Sequence, residues 1–353
     1  MRTWSDSPFE ATTPLREVAA RGAVIAAENG ESEVVYECAD HPGWLVKLYR
    51  PGRRAEPVDV LERLIALPAR MPAADRALID QSVCWPVTRI VDGATTVGVA
   101  VAKAAPEFYV PMRMISGSTT TQPLEIDHLV QTDPEFFARR GWAVPVPAER
   151  LAVARNLAAV GALLERYDVV YGDWSYANAL WTRGSGRIFI IDMDACGISE
   201  RPWVESKMWD DPCVTPGSRL TVRTDRYKMA VLILRCLTGM RGPDLAAAYA
   251  LLPETVRDGP LGDALRRSVG AADPDLRPPV SDLLALLDST AGQLVRAPAD
   301  AGRREPPGDR RPHERTSAPP RSSTGRLVTL VIAVCVAVLI LLAGAGLVTS
   351  LFP

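Results

Sequence analysis

The sequence predicts an α+β protein: a small strand-rich first part, a largely helical second part, and one transmembrane helix at the C-terminal end. Three observations predict it. Apolar runs of strand length, separated by turn signals, fill the first hundred residues. From Pro147 onward, apolar residues recur at helical spacing. Residues 327–350 then run for 24 positions without a charge. As a helix rising about 1.5 Å per residue they span about 36 Å, enough to cross a bilayer.

Residues 23–27 and 33–37 read as two strands around the hairpin turn Glu28-Asn29-Gly30. Residues 44–49 form a third, closed by Pro51-Gly52. Residues 57–70 carry Val58, Leu61, Leu64, Ile65 and Leu67 as a helical stripe, with Pro57 at a permitted first-turn position. Residues 87–91 and 96–102 complete an order of three strands, one helix and two strands. Residues 147–167 place Leu151, Ala154, Leu157, Ala158, Val160 and Leu164 on one helical face, and 187–192 are β-like. Residues 225–237, with Thr224 as cap, are apolar on nearly every side. Such a helix belongs in the middle of a domain, and it is too short to be a second membrane span.

Composition narrows the function. Forty basic and 42 acidic side chains leave a net charge of −2, which excludes a nucleic-acid reader driven by bulk charge. Six cysteines without a Cys-x-x-Cys pair, and three histidines, argue against a zinc site or a disulfide framework. The cysteines are expected reduced and buried. Residues 297–326 hold almost no large apolar side chain, so 291–326 read as a disordered Pro/Arg-rich juxtamembrane linker. Its arginines, next to a spanning helix, favour the cytoplasmic side. Met1 to Leu15 contain Asp6, Glu10 and two prolines but no apolar run, so they do not read as a secretory signal. The expected place is the cell membrane, single-pass through 327–350, with the body in the cytoplasm.

The chemistry concentrates in Gly172-Asp173-Trp174-Ser175-Tyr176-Ala177-Asn178, followed by the apolar run that ends at Asp192-Met193-Asp194. An Asp, an Asn five positions on, and an Asp after an apolar strand form a phosphoryl-transfer pattern. That reaction needs a carboxylate for the attacking hydroxyl and oxygen ligands for Mg²⁺. Asp173 fits the first role; Asn178 and Asp192 fit the second. Asp and Asn also simply occupy turns, and Asp194 is read that way. Lys47 stands near the end of an apolar strand and Glu62 in the helix after it. No P-loop and no Gly-x-Ser-x-Gly elbow is present.

These elements resemble the protein kinase-like superfamily over roughly residues 20–290, most nearly divergent bacterial serine/threonine protein kinases with a C-terminal transmembrane helix. The resemblance implies a bilobal fold, with an N-lobe over 18–105, a C-lobe over 106–290 and a hinge near 102–108. It implies ATP and Mg²⁺ as cofactors and an unidentified protein as substrate. It makes Lys47 the phosphate lysine, Glu62 its partner, Asp173 the catalytic base, and Asn178 and Asp192 the metal ligands. Gly30 would lie in the loop over the phosphates, and Asp225 would brace the catalytic loop. Departures accompany the matches. The phosphate loop has a single glycine among three acids, Tyr171-Gly172 replaces His-Arg, Ser175 replaces a lysine, and no Ala-Pro-Glu follows. Two alternatives stay open: a pseudokinase that binds nucleotide or partners without transfer, and a small-molecule kinase of the aminoglycoside phosphotransferase type.

Overall fold

The computed structural model describes residues 2–27, 32–51, 58–114, 116–204 and 208–296. Gly30, the Glu28–Gly30 turn, Pro57 and residues 327–350 lie outside them. The chain opens with β1 (Thr12–Pro14), β2 (Arg21–Ala27), β3 (Ser32–Cys38) and β4 (Trp44–Tyr49). Helices α1 (Val58–Ala66) and α2 (Ala73–Ser82) precede β5 (Pro86–Asp92) and β6 (Thr95–Ala102). The expected single helix over 57–70 is therefore α1 followed by a 3₁₀ turn at Leu67–Arg70, where Pro68 cannot continue the α-helical hydrogen bonding.

These strands make one six-stranded sheet in the order β1-β5-β6-β4-β3-β2. Strand β1, not expected from the sequence, pairs parallel to β5 at the edge, where Pro14 is tolerated. Side chains alternate across a strand, and the sheet uses both faces. Val34, Tyr36 and Cys38 of β3 join Trp44, Val46 and Leu48 of β4 in one core with Val18, Val87 and Ile90. The opposite face of β4 carries Leu45, Lys47 and Tyr49. Leu45 and Tyr49 pack with Leu61 and Ile65 of α1 and with Phe108, Leu180 and Phe189 from later in the chain. Gly98 permits the close approach of β6 to β4, because a Cβ there would stand 2.2 Å from the Lys47 carbonyl oxygen.

After residue 102 the chain forms the hairpin β7 (Tyr109–Arg113) and β8 (Thr119–Pro123), then α3 (Pro134–Arg140) and α4 (Pro147–Arg166). Four short strands follow: β9 (Val169–Val170), β10 (Ala179–Trp181), β11 (Ile188–Ile190) and β12 (Gly197–Ile198). The remainder is helical: α5 (Val222–Thr238), α6 (Leu245–Ala250), α7 (Glu254–Arg257), α8 (Pro260–Gly270) and α9 (Val280–Arg296). Helix α5 is the expected buried helix, though Thr221 is its N-cap and Thr224 sits one turn in. Helices α4, α5, α8 and α9 share one large core with β11 and the 124–130 segment. The linker boundary moves: 291–296 belong to α9, because Leu294 still packs into that core.

The described residues fall in one unit, Met1–Pro298. The architecture is α+β, a six-stranded sheet followed by a helical part. Among the described residues no helix is long and apolar enough to cross a membrane. Of their five cysteines, Cys38, Cys84, Cys196 and Cys236 are buried, but Cys213 is exposed, with its thiol against the Ala271 carbonyl at 3.2 Å.

Candidate functional site

Two short antiparallel ladders build the site. Strands β10 and β11 pair Ala179 with Ile190, which sets Asn178 beside Ile191 and lets the Ile191 N–H donate to the Asn178 carbonyl at 3.1 Å. Strands β9 and β12 pair Val170 with Gly197. The 171–178 loop and the 191–196 loop are thereby held together from both ends. The Tyr171 hydroxyl adds a bond to the Ile191 carbonyl at 2.8 Å.

Within this frame, Asn178 Nδ2 donates to Asp173 Oδ2 at 2.8 Å and to the Asp173 carbonyl at 2.9 Å. The Asp–Asn pair expected from the sequence is thus in direct contact. Asp192 adopts a left-handed conformation, φ 59° and ψ 35°, which Asp tolerates better than most residues. Its carboxylate reaches back to the sheet, where Lys47 Nζ donates to Asp192 Oδ1 at 2.9 Å. Lys47 is no edge-strand lysine; β4 lies inside the sheet.

Two expectations fail here. Glu62 does not meet Lys47; its carboxylate pairs with Arg89 Nη2 at 2.7 Å, and Arg89 also donates to Thr12 and Thr96. Strand β5 presents Arg89 to this side of α1, and β1 completes the cluster. Asp194 is not a mere turn residue. It is buried, and it accepts from Lys47 Nζ at 2.9 Å and from the Tyr49 hydroxyl at 3.0 Å. Lys47 and Tyr49 are alternate residues of β4, so they share a face and grip Asp194 together. Burial alone would lower the Lys47 pKa, but Asp194 and Asp192 overcome it and hold the ammonium above its ordinary value.

The loop before Asp173 is braced from α5. Asp225 accepts from the Tyr171 N–H at 2.8 Å and the Gly172 N–H at 2.7 Å. Burial pushes its carboxyl up to about 6, against the pull of those N–H groups and of Lys228 and Arg201. Burial also drives the Tyr171 hydroxyl well above its ordinary value, helped by Asp192 and Asp173. The Cys84 thiol, raised by burial and then by Asp192 and Asp194, is protonated and unreactive. The segment leading to α5 is anchored by Arg277 and Asp211, a bidentate pair with both side chains fully buried.

A cavity of about 650 Å³ runs along the connector after β6, lined by Glu37, Lys103, Ala104, Pro106, Tyr109 and Thr121 among others. Glu37 lies opposite Leu45 and Val35 opposite Lys47 in the β3–β4 register. Glu37 is therefore on the Lys47 face, about 7 Å along the strand.

No family model matches this chain, and no curated protein does. The site rests on its own geometry. Among the described residues no group of three or more His, Cys, Asp and Glu side chains converges as a metal cage. What is present suits a hard cation that keeps other oxygen ligands. The Asp192 side chain is 50% exposed, and Asn178, whose nitrogen is committed to Asp173, has its oxygen left as a donor atom. Motif reading named Asp194 but gave it the wrong part, and it missed Tyr49, Arg201 and Lys228. Lys228 carried a weak signal: it stands three positions after Asp225, on the same face of a helix read as buried.

Proposed function

We propose that the chain is an ATP-dependent phosphotransferase, a serine/threonine-type protein kinase with a bilobal kinase-like body anchored in the cell membrane through residues 327–350. The observation that carries this reading is the set of contacts Asn178–Asp173, Ile191–Asn178 and Lys47–Asp192, which brings the two loops of the motif together with the β4 lysine. The arginine-rich segment before residue 327 supports a cytoplasmic body, where ATP is at hand.

In this reading Lys47 donates to phosphate oxygens while Asp194 and Tyr49 keep its ammonium in place. Asn178 and Asp192 would hold Mg²⁺, which neutralises phosphate charge when bound. Asp173 orients the acceptor hydroxyl and takes its proton as that oxygen bonds to the γ-phosphorus and ADP departs. The cavity beside the connector, on the Lys47 face, suits the nucleoside end. The Glu62–Arg89 pair favours a second reading, nucleotide or partner binding without transfer, because the expected lysine partner is committed elsewhere.

Full-length protein, incubated with labelled ATP, Mg²⁺ and a generic protein acceptor beside Asp173→Asn, separates the readings. Label on protein with wild type alone supports the kinase. Nucleotide binding without label supports the second reading, and the absence of both label and nucleotide binding overturns the kinase.

A further inference from the structure

All four backbone polar groups of Tyr171 and Gly172, the residues ahead of Asp173, are taken by charged side chains from elsewhere in the chain. Asp225 receives both N–H groups. Arg201 donates to the Tyr171 carbonyl. Lys228 Nζ donates to the Gly172 carbonyl at 2.8 Å. All three side chains belong to buried residues, Lys228 being 1% exposed. Buried backbone groups require partners, but hydroxyl or amide side chains would serve; three charges on two residues are unusual.

Asp225 and Lys228 are three residues apart on α5 and so share its face. One takes the N–H of Gly172 and the other its carbonyl. Gly172 stands at φ +69°, and a Cβ there would meet Arg201 Cδ at 2.6 Å, so this grip is built around a glycine. The Gly172 carbonyl belongs to the planar peptide that leads into Asp173. Holding that carbonyl fixes the plane from which the Asp173 side chain departs, while Asn178 holds its Oδ2 from the far side. A lysine this buried is tolerated only where it is paired. Burial lowers the Lys228 pKa, and Asp173, Asp225 and Asp210 oppose that.

We infer that Lys228 is a positioning residue for the reaction proposed above: from α5 it holds the Gly172 carbonyl and thereby the orientation of Asp173. The inference rests on that proposed reaction for its purpose, but its geometry is tested independently. Hydrogen exchange of the full-length protein reads the loop directly, whether or not phosphate is transferred. In Lys228→Met the Tyr171 and Gly172 amides are expected to exchange at least tenfold faster, with α4 amides within twofold of wild type. Where wild type transfers phosphate, kcat falls at least tenfold while KM for ATP stays within twofold, and Lys228→Arg recovers most of both losses. Wild type without transfer removes the proposed reaction and leaves the exchange result to judge the grip. Exchange in Lys228→Met within twofold of wild type at Tyr171 and Gly172 overturns the inference, as does a kcat loss matched by an equal rise in KM. If Lys228→Met does not fold, Lys228→Arg carries the test: it retains a donor, and a tenfold rise at the same two amides overturns the assignment.

Discussion

Lys47 of β4 is bonded to Asp194 across 147 residues of sequence, and the glutamate of the neighbouring helix α1 takes no part in holding it. The two side chains are 12% and 2% exposed, so the pair sits in a low-dielectric setting where the removal of one partner is felt. Tyr49 adds a second bond to the same carboxylate.

Asp194→Asn is accordingly expected to destabilise the protein by about 3 kcal/mol, the lower end for breaking a buried pair, since Asp192 remains beside Lys47. Glu62→Gln removes a pair whose glutamate is 53% exposed and is expected to change stability by less than about 1 kcal/mol. Urea unfolding of the two variants checks this. The same contrast is expected in ATP affinity, weakened by Asp194→Asn and unchanged by Glu62→Gln.

Asp173 and Asp192 should separate chemistry from binding. Asp173→Asn is expected to lower transfer by about 10²–10⁴-fold, the usual worth of a general base, with Mg·ATP affinity nearly unchanged. Asp192→Asn is expected to weaken Mg²⁺-dependent ATP binding by at least about tenfold. Calorimetric titration with and without Mg²⁺ distinguishes them. Equal activity of wild type and Asp173→Asn would remove Asp173 from the reaction.

Asp225 gives stability a pH dependence of definite sign. Its folded pKa of about 6 lies above the unfolded value of 3.8, so the folded state binds the proton more tightly. The contribution is fully present below about pH 4 and is lost as pH rises through about 6. A difference of roughly two units corresponds to about 3 kcal/mol. As pH rises from 4 to 7 the urea midpoint of wild type should fall relative to that of Asp225→Asn; parallel profiles would show that Asp225 does not titrate there.

The Arg277–Asp211 pair should dominate the anchoring of the segment before α5. Both side chains are fully buried, so Arg277→Leu leaves an uncompensated carboxylate and is expected to cost about 3–5 kcal/mol. Thermal unfolding measures it. A loss below about 1 kcal/mol would mean that water or another cation reaches Asp211.

Protease added outside intact cells should leave residues 1–296 undegraded, because arginines flank the uncharged run 327–350 on its N-terminal side. Degradation of the body would reverse the topology and take cytoplasmic ATP out of the proposed reaction.

Local pattern determined the central strands of the sheet and three of the helices, α1, α4 and α5. The period-two runs at β3 and β4, the helical stripe of α4 and the apolar helix α5 were legible because each is decided by side chains within a few residues of one another. Strand β1, the β7–β8 hairpin, β9, β10, β12, α2, α3 and α6–α9 were not read; most of them, though not α9, are short, and β1 exists only as an edge partner for β5. Motif spacing likewise placed Asp173, Asn178 and Asp192, since one pair of three-residue strands, Ala179–Trp181 and Ile188–Ile190, joins the two loops that carry them. Only the tertiary structure decided which carboxylate holds Lys47. Charge attraction has no sequence address: Glu62 turned to Arg89 because β5, β1 and β6 assemble a cation and two hydroxyls on its side of α1. Asp194 became the partner because β4 aims Lys47 and Tyr49 from one face into a buried turn 145 residues beyond Tyr49. The sequence determined which charged groups were available, and the packing of the sheet against the later strands determined which of them met.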